Sequence, residues 1–102
     1  MATSVPHAGG VLKNYVAGEF VSSNKLFNNV NPVNGKVINQ VAEADEAIVD
    51  VAVKAAKKAL KGPWGQMSLA QRCELLHKVA DGIDARFDEF VAAEMADTGK
   101  SF

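Results

Sequence analysis

Leu26-Phe27-Asn28-Asn29-Val30-Asn31-Pro32-Val33-Asn34-Gly35-Lys36-Val37-Ile38-Asn39-Gln40-Val41 reads as two extended segments folded about a turn. Pro32 fixes φ at the first corner, and Asn34 and Gly35 tolerate positive φ at the second. On the return segment Val37, Asn39 and Val41 alternate with Lys36, Ile38 and Gln40, so one face is more apolar than the other. Upstream, Asn14 to Val21 reads as two short extended pieces joined at Ala17-Gly18, where glycine supplies the backbone freedom of a tight turn. Together these predict a small antiparallel meander of three or four strands. Met1 to Lys13 reads as a flexible tail without the charged-then-apolar pattern of a signal peptide.

Downstream of the meander the period changes from two to that of a helix. From Asp45, Ile48, Val49, Ala52, Val53, Ala56, Ala59 and Leu60 recur at helical spacing, with acidic residues early and lysines late, as the helix dipole favours. Gly62 and Pro63 are expected to stop this helix, glycine as a left-handed cap and proline because it breaks the hydrogen-bond ladder. A second long helix opens at Ser68, where Gln71 completes a capping-box pattern. Its apolar stripe, Leu69, Cys73, Leu76, Ala80, Ile83, Phe87, Phe90 and Val91, runs on towards Met95 and ends at Thr98-Gly99. No strand follows either helix to complete a βαβ unit. The stripes therefore call for a sheet that these residues do not supply, and the isolated chain is expected to be marginal or partly molten.

Composition excludes several function classes. The 102 residues carry a net charge of -1, which gives no electrostatic reason to bind nucleic acid. Lys54, Lys57, Lys58 and Lys61 read as a solvated helix face. No apolar run approaches the roughly 20 residues of a membrane helix. One cysteine, Cys73, precludes an internal disulfide, and a cytoplasmic location is the default expectation.

Candidate chemical residues are few. Cys73 lies in the apolar stripe and reads as a buried, inert core thiol. His77 is one turn further on, but no second cysteine or suitably spaced histidine completes a zinc site; His7 lies in the tail. Gly99-Lys100-Ser101 looks like the end of a phosphate-binding loop, yet Glu94 stands where that motif requires glycine, and a helix precedes it instead of a strand. Gly62-Pro63-Trp64-Gly65 has neither the spacing nor the backbone donors of a dinucleotide loop. Asp81, Asp84, Asp88 and Glu89, with Arg86 among them, form a solvated acidic face. The residues alone yield no catalytic set.

In order, Asn14-Tyr15-Val16-Ala17-Gly18-Glu19-Phe20-Val21, Val30-Asn31-Pro32-Val33-Asn34-Gly35-Lys36-Val37-Ile38, Gly62-Pro63-Trp64 and Glu94-Met95-Ala96-Asp97-Thr98-Gly99-Lys100 resemble the N-terminal segment of the aldehyde dehydrogenase superfamily. Leu60 to Gly65, Leu76 to Ile83 and Arg86 to Phe90 look most like the branch acting on 2-hydroxymuconic and 2-aminomuconic semialdehydes in bacterial aromatic meta-cleavage. Ala17, where the family usually has Asn or Asp, and Ser101, where proline is common, depart from its pattern. The resemblance implies an α/β fold: a β-meander and the first two long helices of a Rossmann-like coenzyme-binding domain, incomplete, over residues 14–102.

For the parent enzyme the resemblance implies NAD-dependent oxidation of a small-molecule aldehyde to a carboxylic acid. The catalytic cysteine and glutamate are expected beyond Phe102, so no residue here is assigned to catalysis or to NAD. A homo-oligomer is also implied. Asn29, the carbonyl of Val30, and Asp97 match a monovalent-cation site (Na+ or K+) of many members, and an oxygen-only set suits a hard cation. The plainer reading is that Asp97 caps its own turn and Asn29 ends a strand. A different class also stands: a small non-catalytic module that binds a partner through its helical stripes, which sharp two-state unfolding of the isolated chain would favour.

Overall fold

The computed structural model describes residues 4–101. Met1 to Thr3 of the expected tail, and Phe102, lie outside the described residues. The chain forms five short strands, β1 (Val11–Leu12), β2 (Asn14–Val16), β3 (Glu19–Val21), β4 (Leu26–Val30) and β5 (Val37–Ala42). Four helices follow, α1 (Glu46–Ala59), α2 (Pro63–Gln66), α3 (Leu69–Ala85) and α4 (Phe87–Thr98). A mixed sheet followed by helices is the expected class.

The strands do not form a single meander. β2 and β3 make a separate two-stranded hairpin, while the main sheet has the order β1-β5-β4. β1 runs parallel to β5, with Val11 opposite Gln40 and Leu12 opposite Val41. Backbone bonds from Gly9 N to the Ile38 carbonyl (2.7 Å) and from Gln40 N to the Gly10 carbonyl (3.0 Å) extend that pairing. The end of the predicted tail is thus part of the sheet. Its two-residue strand is too short for any periodicity to reveal.

The hairpin turn at Ala17-Gly18 has φ of 52° and 84° at its two residues, the pair of left-handed conformations that a two-residue turn needs to match strand twist. Tyr15 and Phe20 stack edge to face across it at 5.0 Å. Alanine pays a steric penalty at positive φ that asparagine largely escapes. Ala17→Asn is therefore expected to raise stability by about 0.5–1 kcal/mol, read as a higher thermal midpoint. A lower midpoint would contradict the turn assignment.

The turn between β4 and β5 is closed by its own side chains. Asn31 Oδ1 accepts from Val33 N (2.9 Å) and Asn34 Oδ1 accepts from Lys36 N (2.9 Å). Gly35 takes the positive φ of 72°, whereas Asn34 does not need to. β4 and β5 pair antiparallel from Leu26–Ala42 through Asn29–Asn39. The register then shifts by one, so that Val30 faces Val37 and Ile38 is left over as a bulge. Bulges sharpen local twist and re-aim neighbouring side chains.

α1 starts as expected: Asp45 Oδ1 accepts from Ile48 N at 2.8 Å. Its end differs. Gly62 is extended (φ -94°, ψ -161°) and opens α2 ahead of Pro63; it is not a left-handed cap. The last turn of α1 instead tightens, with Leu60, Lys61 and Gly62 N–H groups donating to the carbonyls of Lys57, Lys58 and Ala59. Such three-residue bonds satisfy carbonyls that a glycine cap would otherwise serve. The Ser68–Gln71 capping box is complete, with Ser68 N donating to Gln71 Oε1 (2.9 Å) and Gln71 N to Ser68 Oγ (3.2 Å).

The second long helix is in fact two. Arg86 (φ -119°, ψ 27°) leaves the helical region and serves both as the C-cap of α3 and the N-cap of α4. Its carbonyl accepts from Glu89 N and Phe90 N. Its guanidinium grips Glu89 through Nε–Oε2 (2.7 Å) and a second bond at 3.2 Å. That hydrogen bond holds the Glu89 carboxyl below its usual range and raises Arg86. No glycine or proline marks the break, so a periodicity that runs through it reads as one helix.

The core is small. Val16, Ala42 and Ala96 are its buried apolar residues among those described. Val16 and Val21 of the hairpin face Ala47, Ile48 and Val51 of α1 across a shallow apolar cleft of about 210 Å³. The stripe of α3 meets little: Leu69 is 73% exposed, and Leu76 and Ile83 are also open to solvent. This agrees with helices that need a further layer to cover them.

Candidate functional site

The end of α4 returns to the tip of the β4–β5 hairpin, and two of the candidate cation residues, Asn29 and Asp97, meet there. Asn29 faces Asn39 directly across the strand pair, one step before the bulge. Asn39 is only 6% exposed and is the buried polar residue of the described core. The Asn29 amide nitrogen donates to Asn39 Oδ1 at 3.0 Å and to Asp97 Oδ1 at 2.8 Å. Both amide protons are thereby used, each on an oxygen.

Asp97 therefore reaches across to the sheet and does not cap its own turn. The side chain bonded within that turn is Thr98, whose Oγ1 donates to the Glu94 carbonyl at 2.7 Å. Gly99 ends α4 in the left-handed region (φ 73°), and its N–H donates to the Met95 carbonyl at 2.9 Å. A Cβ there would lie 3.1 Å from Val33 Cγ2 and 3.2 Å from Pro32 Cγ. The two conspicuous segments Asn31–Gly35 and Asp97–Lys100 are thus in contact. Val30, the third candidate, ends β4 beside this contact.

Asp97 offers a carboxylate and Val30 a main-chain carbonyl, donor types that suit a hard cation. The Asn29 side chain presents nitrogen to Asp97, so as oriented it holds the carboxylate instead of ligating beside it. Among the described residues no group of three His, Cys, Asp or Glu could hold a metal ion, so a transition-metal centre has no donors here. Periodicity alone does not single out Asn39. Its signal was present, since it is the polar residue on the more apolar face of β5.

The other candidates fall apart. Cys73 is exposed and not buried, because α3 presents its stripe to solvent. His77 and His7 are exposed as well. α1 opens on Asp45 as its N-cap and Glu46 in its first turn, and negative charge at a helix N-terminus repels a pyrophosphate. That helix start is therefore a poor phosphate cradle. No helix among them is long and apolar enough to cross a membrane.

The aldehyde dehydrogenase family model matches residues 20–102. The chain belongs to the aldehyde dehydrogenase family. It is 58% identical over 91 residues to a 2-hydroxymuconic semialdehyde dehydrogenase of a Pseudomonas species (strain CF600), covering 87% of this chain and 19% of the relative. A 2-aminomuconic 6-semialdehyde dehydrogenase of Pseudomonas is 47% identical over 88 residues, covering 86% and 18%. Among solved structures, an aldehyde dehydrogenase of Bacillus cereus superposes with a TM-score of 0.80 at 40% identity, over 84% of this chain and 18% of that one. The chain thus spans less than a fifth of the length of these relatives. The mixed sheet and its helices are the aldehyde dehydrogenase fold at its N-terminal end.

Proposed function

We propose that this chain is the N-terminal part of an NAD-dependent dehydrogenase that oxidises 2-hydroxymuconic semialdehyde to the corresponding acid. The supporting observation is the 58% identity to a relative of that name, against 47% for the aminomuconic one. The reading extends to a soluble, cytoplasmic homo-oligomer serving aromatic meta-cleavage. NAD would supply the hydride acceptor; no described residue is given a part in that step.

What this segment contributes is structural. The β4–β5 hairpin and the end of α4 form a monovalent-cation site through the Val30 carbonyl, Asp97 and Asn29, with Asn29 acting through its backbone or by holding Asp97. Oxygen donors with a single carboxylate suit Na+ or K+ better than a divalent ion, which gathers more negative charge.

The test is turnover by the full-length protein with each semialdehyde, following NADH formation. A kcat/KM for the hydroxy substrate about tenfold or more above that for the amino substrate is expected, because the two groups differ in hydrogen bonding. The reverse preference would move the assignment to the aminomuconic enzymes, and no turnover of either would remove it.

A further inference from the structure

Asn39 has a place in this site that its position in the middle of β5 conceals. A buried asparagine is retained in a small core only if its amide is used. Its oxygen takes one proton of the Asn29 amide at 3.0 Å, and the other proton goes to Asp97 at 2.8 Å. Asn29 is thus held between two acceptors. Neither bond leaves the amide free to turn, since reversing it would set the Asn29 oxygen against the Asn39 and Asp97 oxygens together. The neighbouring bulge at Ile38 fixes the twist of β5 next to Asn39.

We propose that Asn39 is a positioning residue for the cation site: through the Asn29 amide it fixes the orientation of the Asp97 carboxylate, leaving that group's second oxygen and the Val30 carbonyl to the ion. This rests on the cation-site reading above. Partners one shell out from a ligand aim it and tune its affinity, and losing one weakens metal binding by about 10- to 100-fold. Asn39 touches Asp97 only through Asn29, so its effect is on affinity and not on the donor set.

The test is a sodium chloride titration of the full-length protein at constant ionic strength, with N-methylglucamine chloride as the balancing salt, reading the thermal midpoint. Binding to the folded state raises that midpoint in a saturable way. Asn39→Leu, close in size but without an acceptor, is expected to shift the half-saturating sodium concentration upward about tenfold. Asn39→Asp keeps an acceptor oxygen and is expected not to shift it upward. Should Asn39→Leu fail to fold, Asn39→Ser, whose hydroxyl is too short to reach Asn29, carries the same tenfold expectation. A purely structural role would lower all midpoints without moving the sodium dependence, and that result overturns the inference. If Asp97→Asn flattens the titration while Asn39→Leu does not move it, the positioning role falls and the cation site stands. A flat titration of the unaltered protein removes both.

Discussion

Gly65→Ala is expected to be the most damaging single substitution in this segment. A Cβ at Gly65 would collide with the Leu60 carbonyl oxygen and lie 2.6 Å from its carbonyl carbon. The obstacle is backbone, so no side-chain rotation relieves it. Either α1 or the one-turn helix α2 must shift, and the tightened turn formed by Leu60, Lys61 and Gly62 shifts with it. Overpacking against movable neighbours costs about 1–3 kcal/mol, and a main-chain collision belongs at or above the top of that range. The measurement is soluble yield and thermal midpoint of the purified protein, with Gly82→Ala as the paired control. Gly82 lies within α3 with nothing within 4 Å of its would-be Cβ. Alanine there is expected to stabilise by about 0.5–1 kcal/mol through helix propensity. Equal effects at the two sites would refute the close approach of α2 to the end of α1.

The second large effect is expected at Gly99. Its φ of 73° penalises any residue with a Cβ by about 1–2 kcal/mol. The Val33 and Pro32 contacts at 3.1 and 3.2 Å add a steric charge on top. Gly99→Val should therefore lower stability by about 2–3 kcal/mol and, more tellingly, lift the end of α4 from the hairpin tip. Faster amide hydrogen exchange at Asn31 and Gly35, whose N–H groups close that turn, is the signature. Exchange that rises equally along α1 would indicate general destabilisation and count against the contact.

The contrast between what was legible and what was not follows the range of the interactions. The hairpin turn at Ala17-Gly18, the Asn31–Gly35 turn and the Ser68–Gln71 box are set by residues within a few positions of each other, and each appears where the residues place it. The parallel strand β1 depends on a partner far along the chain, so two residues with no pattern of their own could not announce it. Arg86 interrupts a stripe that keeps helical spacing on both sides, and the interruption is recorded in a dihedral and an ion pair, neither of which is a feature of hydropathy. Glycine after a helix usually caps it, but Pro63 makes Gly62 the start of the next turn. At the candidate site, Asn29 and Asp97 came from resemblance alone. Asn39 became visible only when the strand register set it opposite Asn29. An apolar stripe normally has something to lie on, so Cys73 reads as buried in the sequence although the fold leaves it exposed.

The contact between Asn29 and Asp97 joins residues 68 positions apart, and this bears on the order in which the segment assembles. The β4–β5 hairpin closes across the six residues between Val30 and Val37, and the helices form from neighbours in sequence, so each can appear early and fast. Joining α4 to the hairpin must wait until everything between has been synthesised and ordered, because closing the longer loop carries the greater entropy loss. Interactions that form after the transition state act on the rate of unfolding and hardly on that of folding. Disturbing this junction should thus leave the protein folding at its normal pace and shorten how long it stays folded.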